Sequence, residues 1–379
     1  MTESAQPACT DIRVIVVAHG PPLKGGIATV ALDLVEDAGL NAEFEMVFQN
    51  TAQNDSQRGK FAVENLKRAA ADAWNTFRLA RKGSVVHSHA VQDPWLVAWR
   101  QVCIALAARL RGAQVLLHNH NQAPYMELPG EYKVSRLNRW AFALLDKLVQ
   151  ANILIAPAGE PNIRKYMPTV ALPVIANSVV VETVPQSSAV HDPPVILFIG
   201  ELLERKGMVI LLDALDQLDA QGVGNYELRI LGDNRPGLDP LKDQMVNEIT
   251  ARGRGDTMTG PVSRSEVYRH LSEADLYVFP TFTEGQPFTV IEALAAGVPI
   301  VASNIQAISN MITEGVHGRM IALDDTPGFA EAISELLADP ERRSQISQAN
   351  RTLALQRFDR TVFRERIAEL YREHGRSAQ

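Results

Sequence analysis

Short apolar runs alternate with helical stretches along this chain, and each run empties into a loop of glycines, histidines or acidic residues. Residues 12–18, 84–89, 114–117 and 152–157 read as strands in the first half, and 195–199, 227–231, 274–280 and 298–302 in the second. Runs that are apolar on both faces suit a parallel sheet covered by helices on both sides. The stretches 27–35, 57–82, 91–110, 131–150, 208–218, 241–251, 263–272 and 288–296 carry helical patterning, and 339–357 and 358–372 read as terminal helices. This order predicts an α/β chain with two doubly wound, Rossmann-like domains, and 379 residues is a natural length for two. A stretch rich in Pro and Ser without periodicity, 184–194, reads as the linker, which places the domains at 1–183 and 184–379.

Several classes are excluded early. Arg109 and Glu292 interrupt the longest apolar stretches, so none is long enough to span a bilayer. The first ten residues, MTESAQPACT, lack the basic and apolar parts of a signal peptide, and Cys9 and Cys103 form no framework or metal spacing. The expected location is the cytoplasm. The net charge of −7 argues against a general nucleic-acid binder. It is uneven: up to residue 190 there are 18 Lys and Arg against 16 Asp and Glu, and beyond it 19 against 28. The basic helix 57–82 carries Arg58, Lys60, Lys67, Arg68, Arg78, Arg81 and Lys82. It reads either as a patch for an anionic membrane surface or as a solvated face.

The chemistry gathers in TFTEGQPFTVIEALAAGVPIVAS, residues 281–303. Glu284 and Glu292 lie eight positions apart, with the turn Gly285-Gln286-Pro287 between them and a helix from Phe288. Strand ends and helix starts of α/β units are where ligands bind. A helix start offers free N–H groups to a phosphate, and carboxylates beside it suit sugar hydroxyls. A second loop, His19 to Gly26, joins a strand to a helix through Gly25-Gly26. It matches neither the Gly-x-Gly-x-x-Gly fingerprint nor a P-loop, which argues against a dinucleotide-dependent dehydrogenase. Two His-x-His pairs, His87/His89 and His118/His120, close two strands of the first half. They could hold a metal or line a ligand site. Both pairs fall where strands run out and no carboxylate lies beside either, so the expectation is no metal.

Glu284-x7-Glu292 followed by Ala293-Leu294-Ala295-x-Gly297-x-Pro299 resembles the donor-site signature of retaining family-4 glycosyltransferases, the group 1 transferases with the GT-B fold. Gly200-Glu201-Leu202-Leu203-Glu204-Arg205-Lys206-Gly207 resembles the family's Gly-Arg-Leu-x-x-x-Lys-Gly loop, with Glu201 in the arginine position. Asn177-Ser178-Val179, Gly232-Asp233-Asn234, Gly260-Pro261-Val262 and Gly315-Val316-His317-Gly318 are similar to further family segments. The resemblance implies two Rossmann-like domains facing an interdomain cleft, with residues 358–379 crossing back to the first domain. It implies transfer of a sugar from a nucleoside-diphosphate sugar, UDP first and GDP next, to an acceptor hydroxyl with retention and without a metal cofactor. Lys206, with Arg205 as the second cation, and the backbone of Gly25 and Gly26 would face the diphosphate. Gln286, Pro287, Phe288 and Thr289 would border the donor, and Gly260 and Val262 would read the base. Glu292 would hold the ribose, Glu284 the sugar hydroxyls, and His120, or else His118, the transferred sugar. The implied setting is surface polysaccharide or glycolipid assembly, with a lipid-linked acceptor at the inner face of the plasma membrane. An epimerase of the same fold, or a nucleotide-sugar-binding subunit that has lost catalysis, are the alternatives. Glu201 is the argument for the second.

Overall fold

Two all-parallel sheets carry the chain, each assembled from the apolar runs of one half. The computed structural model describes residues 11–21, 25–51, 63–90, 95–120, 136–187, 190–237 and 239–375. The expected helical residues 57–62 and 131–135, Arg58 and Lys60 among them, and Lys24 and Asn121 lie outside the described residues.

The first sheet has the order β2-β1-β3-β4-β5. Its strands are β1 (Arg13–Ala18), β2 (Glu45–Asn50), β3 (Val85–Ala90), β4 (Gln114–Asn119) and β5 (Ala151–Leu154). The helices are α1 (Gly26–Val35), α2 (Ala38–Glu43), α3 (Val63–Leu79), α4 (Trp95–Leu110), α5 (Arg136–Leu148) and α6 (Glu160–Arg164). Ile15, Val86, Val115 and Leu117 of the sheet pack with Val102 and Ala105 of α4 and Phe142 and Leu145 of α5. β2 was not expected from the sequence. It pairs only with β1, at the sheet edge, and Glu45 and Asn50 at its ends are exposed. An edge strand therefore lacks the apolar run that marks a central one.

The second sheet has the order β11-β10-β9-β6-β7-β8. Its elements in chain order are β6 (Val195–Ile199), α7 (Met208–Ala220), β7 (Glu227–Leu231), α8 (Pro240–Ala251), β8 (Met258–Gly260), α9 (Arg264–Ser272), β9 (Leu276–Phe279), α10 (Phe288–Ala296), β10 (Ile300–Ser303), α11 (Gln306–Ser309), β11 (Gly318–Ile321), α12 (Thr326–Ala338) and α13 (Pro340–Leu353); α14 (Arg360–His374) follows them in the chain and returns to the first unit from Phe363. A capping box opens α9, with Ser263 and Glu266 satisfying each other's backbone N–H groups. None of the described helices is long and apolar enough to cross a membrane.

The chain divides into one unit of Met1–Asn177 with Phe363–Gln379 and another of Ser178–Val362. The change of unit thus falls at 177/178, not at 183/184, and the return at 363, not 358. The cause is local pairing: Val179 bridges Asp359, and the Val181 amide donates to the Asp359 carboxylate at 3.1 Å. The expected linker is likewise part of the second unit. Ser187 is buried, its amide donating to the Ala296 carbonyl at 2.8 Å and its hydroxyl to the Ala274 carbonyl at 2.8 Å. Within the first unit, α14 fixes Tyr371, whose hydroxyl lies 2.6 Å from His87 Nδ1 and whose ring meets Phe44 edge to face at 5.4 Å. Arg372 pairs with Glu43 at 2.6 Å.

Asp275, fully buried just before β9, ties four segments together. It accepts from the His191 ring at 2.9 Å, from the Val195 amide at 2.9 Å and from Arg343 of α13 at 3.4 Å. Arg343 is itself buried and donates to the carbonyls of Leu336 and Leu337, each at 2.7 Å. Removing one member of a buried pair strands the other charge, at a cost of about 3–5 kcal/mol. Asp275→Ala should therefore lower the stability of the second unit by about that amount, read as an earlier urea transition in far-UV circular dichroism; an unchanged midpoint would contradict this role.

Candidate functional site

In the second sheet the chain leaves β6 toward β7 and β8 on one side, and β9 toward β10 and β11 on the other. β6 and β9 are neighbours, so the winding reverses between them, and ligands of open α/β sheets bind at the carboxyl ends of such strands. Two loops meet there. The loop after β6 ends in a 3-10 turn, Glu204–Lys206, and the loop after β9 runs from Pro280 to Pro287. Gly207 joins them closely. Its φ is +76°, and a Cβ on it would lie 1.8 Å from the Pro280 carbonyl oxygen. The Phe282 amide then donates to the Arg205 carbonyl at 2.9 Å.

This contact brings Lys206 against Glu284, 78 residues on, in a direct ion pair. Both side chains are largely buried, at 14% and 12% exposure. The Thr281 hydroxyl donates to the same carboxylate at 3.1 Å, and the ammonium lies 5.6 Å over the Phe279 ring. The sequence reading gave Lys206 and Glu284 different partners; the fold makes them partners of each other. Glu201, the departure from the family pattern, is exposed and paired with exposed Arg205. Arg205 therefore compensates the carboxylate next to it.

The helix α10 follows directly, starting at Phe288 after Pro287, and no side chain caps its start. Gln286 and Pro287 are buried, and Thr289 accepts from the Tyr277 hydroxyl at 2.8 Å. Glu292 lies one turn in, buried, 3.4 Å from Arg264 Nε. Burial pushes its carboxyl up to about 7, against the pull of Arg264. Gly260 and Val262 line a cavity of about 400 Å3 with Gly200, Glu201, Asp233 and Lys242. Lys242 is largely buried and lies 3.6 Å from Asp233. Sequence reasoning missed Lys242 and Arg264, and it placed Asp233 in a family-like loop without giving its side chain a role. Lys242 sits in a helix whose mixed charges look like any solvated face.

The first unit holds the remaining candidates. Gly25 and Gly26 stand exposed at the start of α1, which no side chain caps. His118 and Asn119 prove to be strand residues of β4, and His89 is in register with His118 across β3 and β4. All four histidines stack: ring centroids are 5.3 Å apart for His87 and His118, 4.9 Å for His89 and His118, and 4.4 Å for His118 and His120. His118 is buried and His120 is the less buried of the two. Burial pushes His87 and His120 down to about 3 and His89 and His118 well below the usual histidine range, so the stack is neutral.

Residues 193–339, the span that includes the Lys206 turn, Glu284 and α10, match the family model Glycosyl transferases group 1. Through that span, the chain is similar to the group 1 glycosyl transferases. It is 28% identical over 186 residues to an alpha-D-kanosaminyltransferase of Streptomyces kanamyceticus, covering 48% of this chain and 47% of that protein. It is 31% identical over 180 residues to a phosphatidyl-myo-inositol mannosyltransferase of Mycolicibacterium smegmatis, covering 46% and 44%. These matches span about half the length of the curated relatives. The solved structure of Anabaena HepE in complex with UDP and glucose aligns with a TM-score of 0.71 at 17% identity, over 96% of this chain and 100% of that one. The fold is the GT-B fold of glycosyltransferases.

The close approach of the two loops depends on Gly207. A backbone held in the left-handed region costs a non-glycine residue about 1–3 kcal/mol. Gly222 has a similar φ of +80° but nothing within 4 Å of a Cβ. Gly207→Ala should thus destabilise clearly more than Gly222→Ala, by calorimetry of the two variants; equal losses would mean that the approach to Pro280 is not a constraint.

Proposed function

We propose that this chain transfers a sugar from a nucleoside-diphosphate sugar, UDP first and GDP next, to an acceptor hydroxyl with retention of anomeric configuration. The observation that carries this is the Lys206–Glu284 pair at the winding reversal of the second sheet, beside the uncapped start of α10. Negative charge grows on the leaving diphosphate as the glycosidic bond breaks. A fixed ammonium and helix N–H groups aimed there lower the barrier without rearranging. Lys206 supplies the first and the Phe288 end of α10 the second, and the diphosphate needs no metal ion in this scheme. Glu284, released from Lys206 by the phosphate, accepts from sugar hydroxyls. Glu292 accepts from the ribose, and Gly260 and Val262 border the base. Arg205 balances Glu201, which answers the argument for a subunit without catalysis. By resemblance, the backbone of Gly25-Gly26 serves the diphosphate and His120 the transferred sugar.

UDP is the first choice because the HepE structure of the same fold holds UDP and glucose. A glycolipid or surface polysaccharide acceptor follows the mannosyltransferase relative, whose name specifies phosphatidyl-myo-inositol. The exposed face of α3 carries Leu66, Lys67, Trp74 and Arg78, a mix of apolar and basic groups that fits peripheral contact at the inner face of the plasma membrane.

UDP should raise the melting temperature in the presence of a chelator, with GDP weaker and NAD inert. Lys206→Ala should abolish transfer and weaken UDP by about 1.5–3 kcal/mol, the scale for hydrogen bonds to charged groups. Full transfer by that variant, read with the product's anomeric signal by NMR, would refute the assignment. A second outcome concerns pH. With its carboxyl near 7, Glu292 is largely neutral at acid pH and a carboxylate above neutrality. Hydroxyl donors prefer the carboxylate, so UDP affinity should rise from acid through neutral pH more steeply than in Glu292→Gln. Calorimetric titrations giving parallel profiles would remove Glu292 from the ribose.

A further inference from the structure

We propose that His87, His89 and His118 of the first unit form a binding site for a first-row transition-metal ion, Zn2+ in particular. One ligand nitrogen from each can be chosen so that all lie within 4.8 Å of one another. The three residues are 0%, 4% and 1% exposed. Among the described residues, His87 Nε2, His89 Nε2 and both ring nitrogens of His118 are buried with no hydrogen-bond partner. Buried polar atoms in folded chains are almost always paired, so four orphans in one stack need an explanation. A shared cation would take one nitrogen from each ring and so accounts for three of the four, leaving the second nitrogen of His118 to carry that ring's proton.

The opposite nitrogens are already held in the manner of a metal's outer shell. His87 Nδ1 lies 2.6 Å from the Tyr371 hydroxyl, and His89 Nδ1 lies 2.9 Å from His120 Nε2. If each Nδ1 carries the proton and donates it outward, each Nε2 presents its lone pair inward, as ligating histidines do. The donor set is nitrogen alone. Imidazoles select zinc, copper, nickel or cobalt over magnesium or calcium, and three of them leave one place for water or an anion in a tetrahedral site. Zinc–nitrogen bonds of about 2.0–2.1 Å draw ligands to about 3.4 Å from one another, so nitrogens now within 4.8 Å must close and the stacked rings must turn until their in-plane lone pairs meet at one point. The site would clamp β3, β4 and, through Tyr371, α14 within the first unit. Lys206, proposed above for the diphosphate, belongs to the second unit.

The test uses full-length protein without a histidine tag, stripped with a chelator and then dialysed against Zn2+ or Co2+. Elemental analysis should find one Zn2+ per chain, and Co2+ should give the intense visible bands of a tetrahedral nitrogen site. Zn2+ should raise the melting temperature with or without UDP, while UDP affinity stays the same in stripped and loaded protein. His118→Asn should lose the bound equivalent, and Tyr371→Phe should keep the stoichiometry but weaken affinity about 10- to 100-fold. Stripped wild-type protein that takes up no stoichiometric metal and shows neither stabilisation nor the Co2+ spectrum would overturn the proposal. So would a folded His118→Asn variant that retains a full equivalent. If that variant does not fold, the Co2+ spectrum of the wild type and the Tyr371→Phe affinity decide the matter.

Discussion

The buried carboxylate of Asp275 is the interaction on which the second unit depends. It stands at the start of β9, at the opposite end of that strand from Glu284, and gathers the amide of β6, the side chain of His191 and the guanidinium of α13. A charge of this kind is tolerated inside a protein only when its lone pairs are used. Here they are used by the segments that set the height of β6 relative to β9. That height decides where the loops after the two strands meet. A polar contact remote from any ligand therefore fixes the register of the Lys206 turn against the Pro280 carbonyl.

The two sheets place their chemistry differently. In the second, opposite charges from separate loops meet at the strand ends, half-shielded from water, and α10 adds its dipole alongside. Such an arrangement is stable in itself and can exchange partners, since either charge is satisfied equally well by a ligand of the other sign. In the first, neutral rings stack without any charge to oppose them, and only Tyr371 and His120 occupy their outward nitrogens. One arrangement is built from electrostatic compensation, the other from buried, stacked rings.

The central strands and α10 were legible because residues buried on both faces leave an unbroken apolar signature, as in 195–199 and 300–303. The edge strand β2 was not, since both its ends are exposed and only Gln49 is fully buried. The residues of the loops after β6 and β9 were legible as types, but not their pairing: nothing in a linear reading says that Lys206 meets Glu284. The same holds for the histidines. Each His-x-His pair was visible, but only the register that sets His89 opposite His118 turns two pairs into one stack. Lys242 left no signal, because its burial comes from the cavity wall and not from its own helix. The stretch 184–194 misled for a related reason: a chain without periodicity can still be firmly held, as Ser187 and His191 are.

The placement of Phe363 to His374 with the first unit has a consequence for how the chain is made. The second unit is continuous in sequence, whereas the first is split around it. During synthesis every segment of the second unit is available before the residues that complete the first. Until Tyr371 emerges, Phe44 lacks the ring it packs against and His87 lacks its hydroxyl partner. Domains generally fold as units as the chain grows. The later half of this chain is thus able to finish first, and the earlier half must wait with an incomplete core for its own last helix.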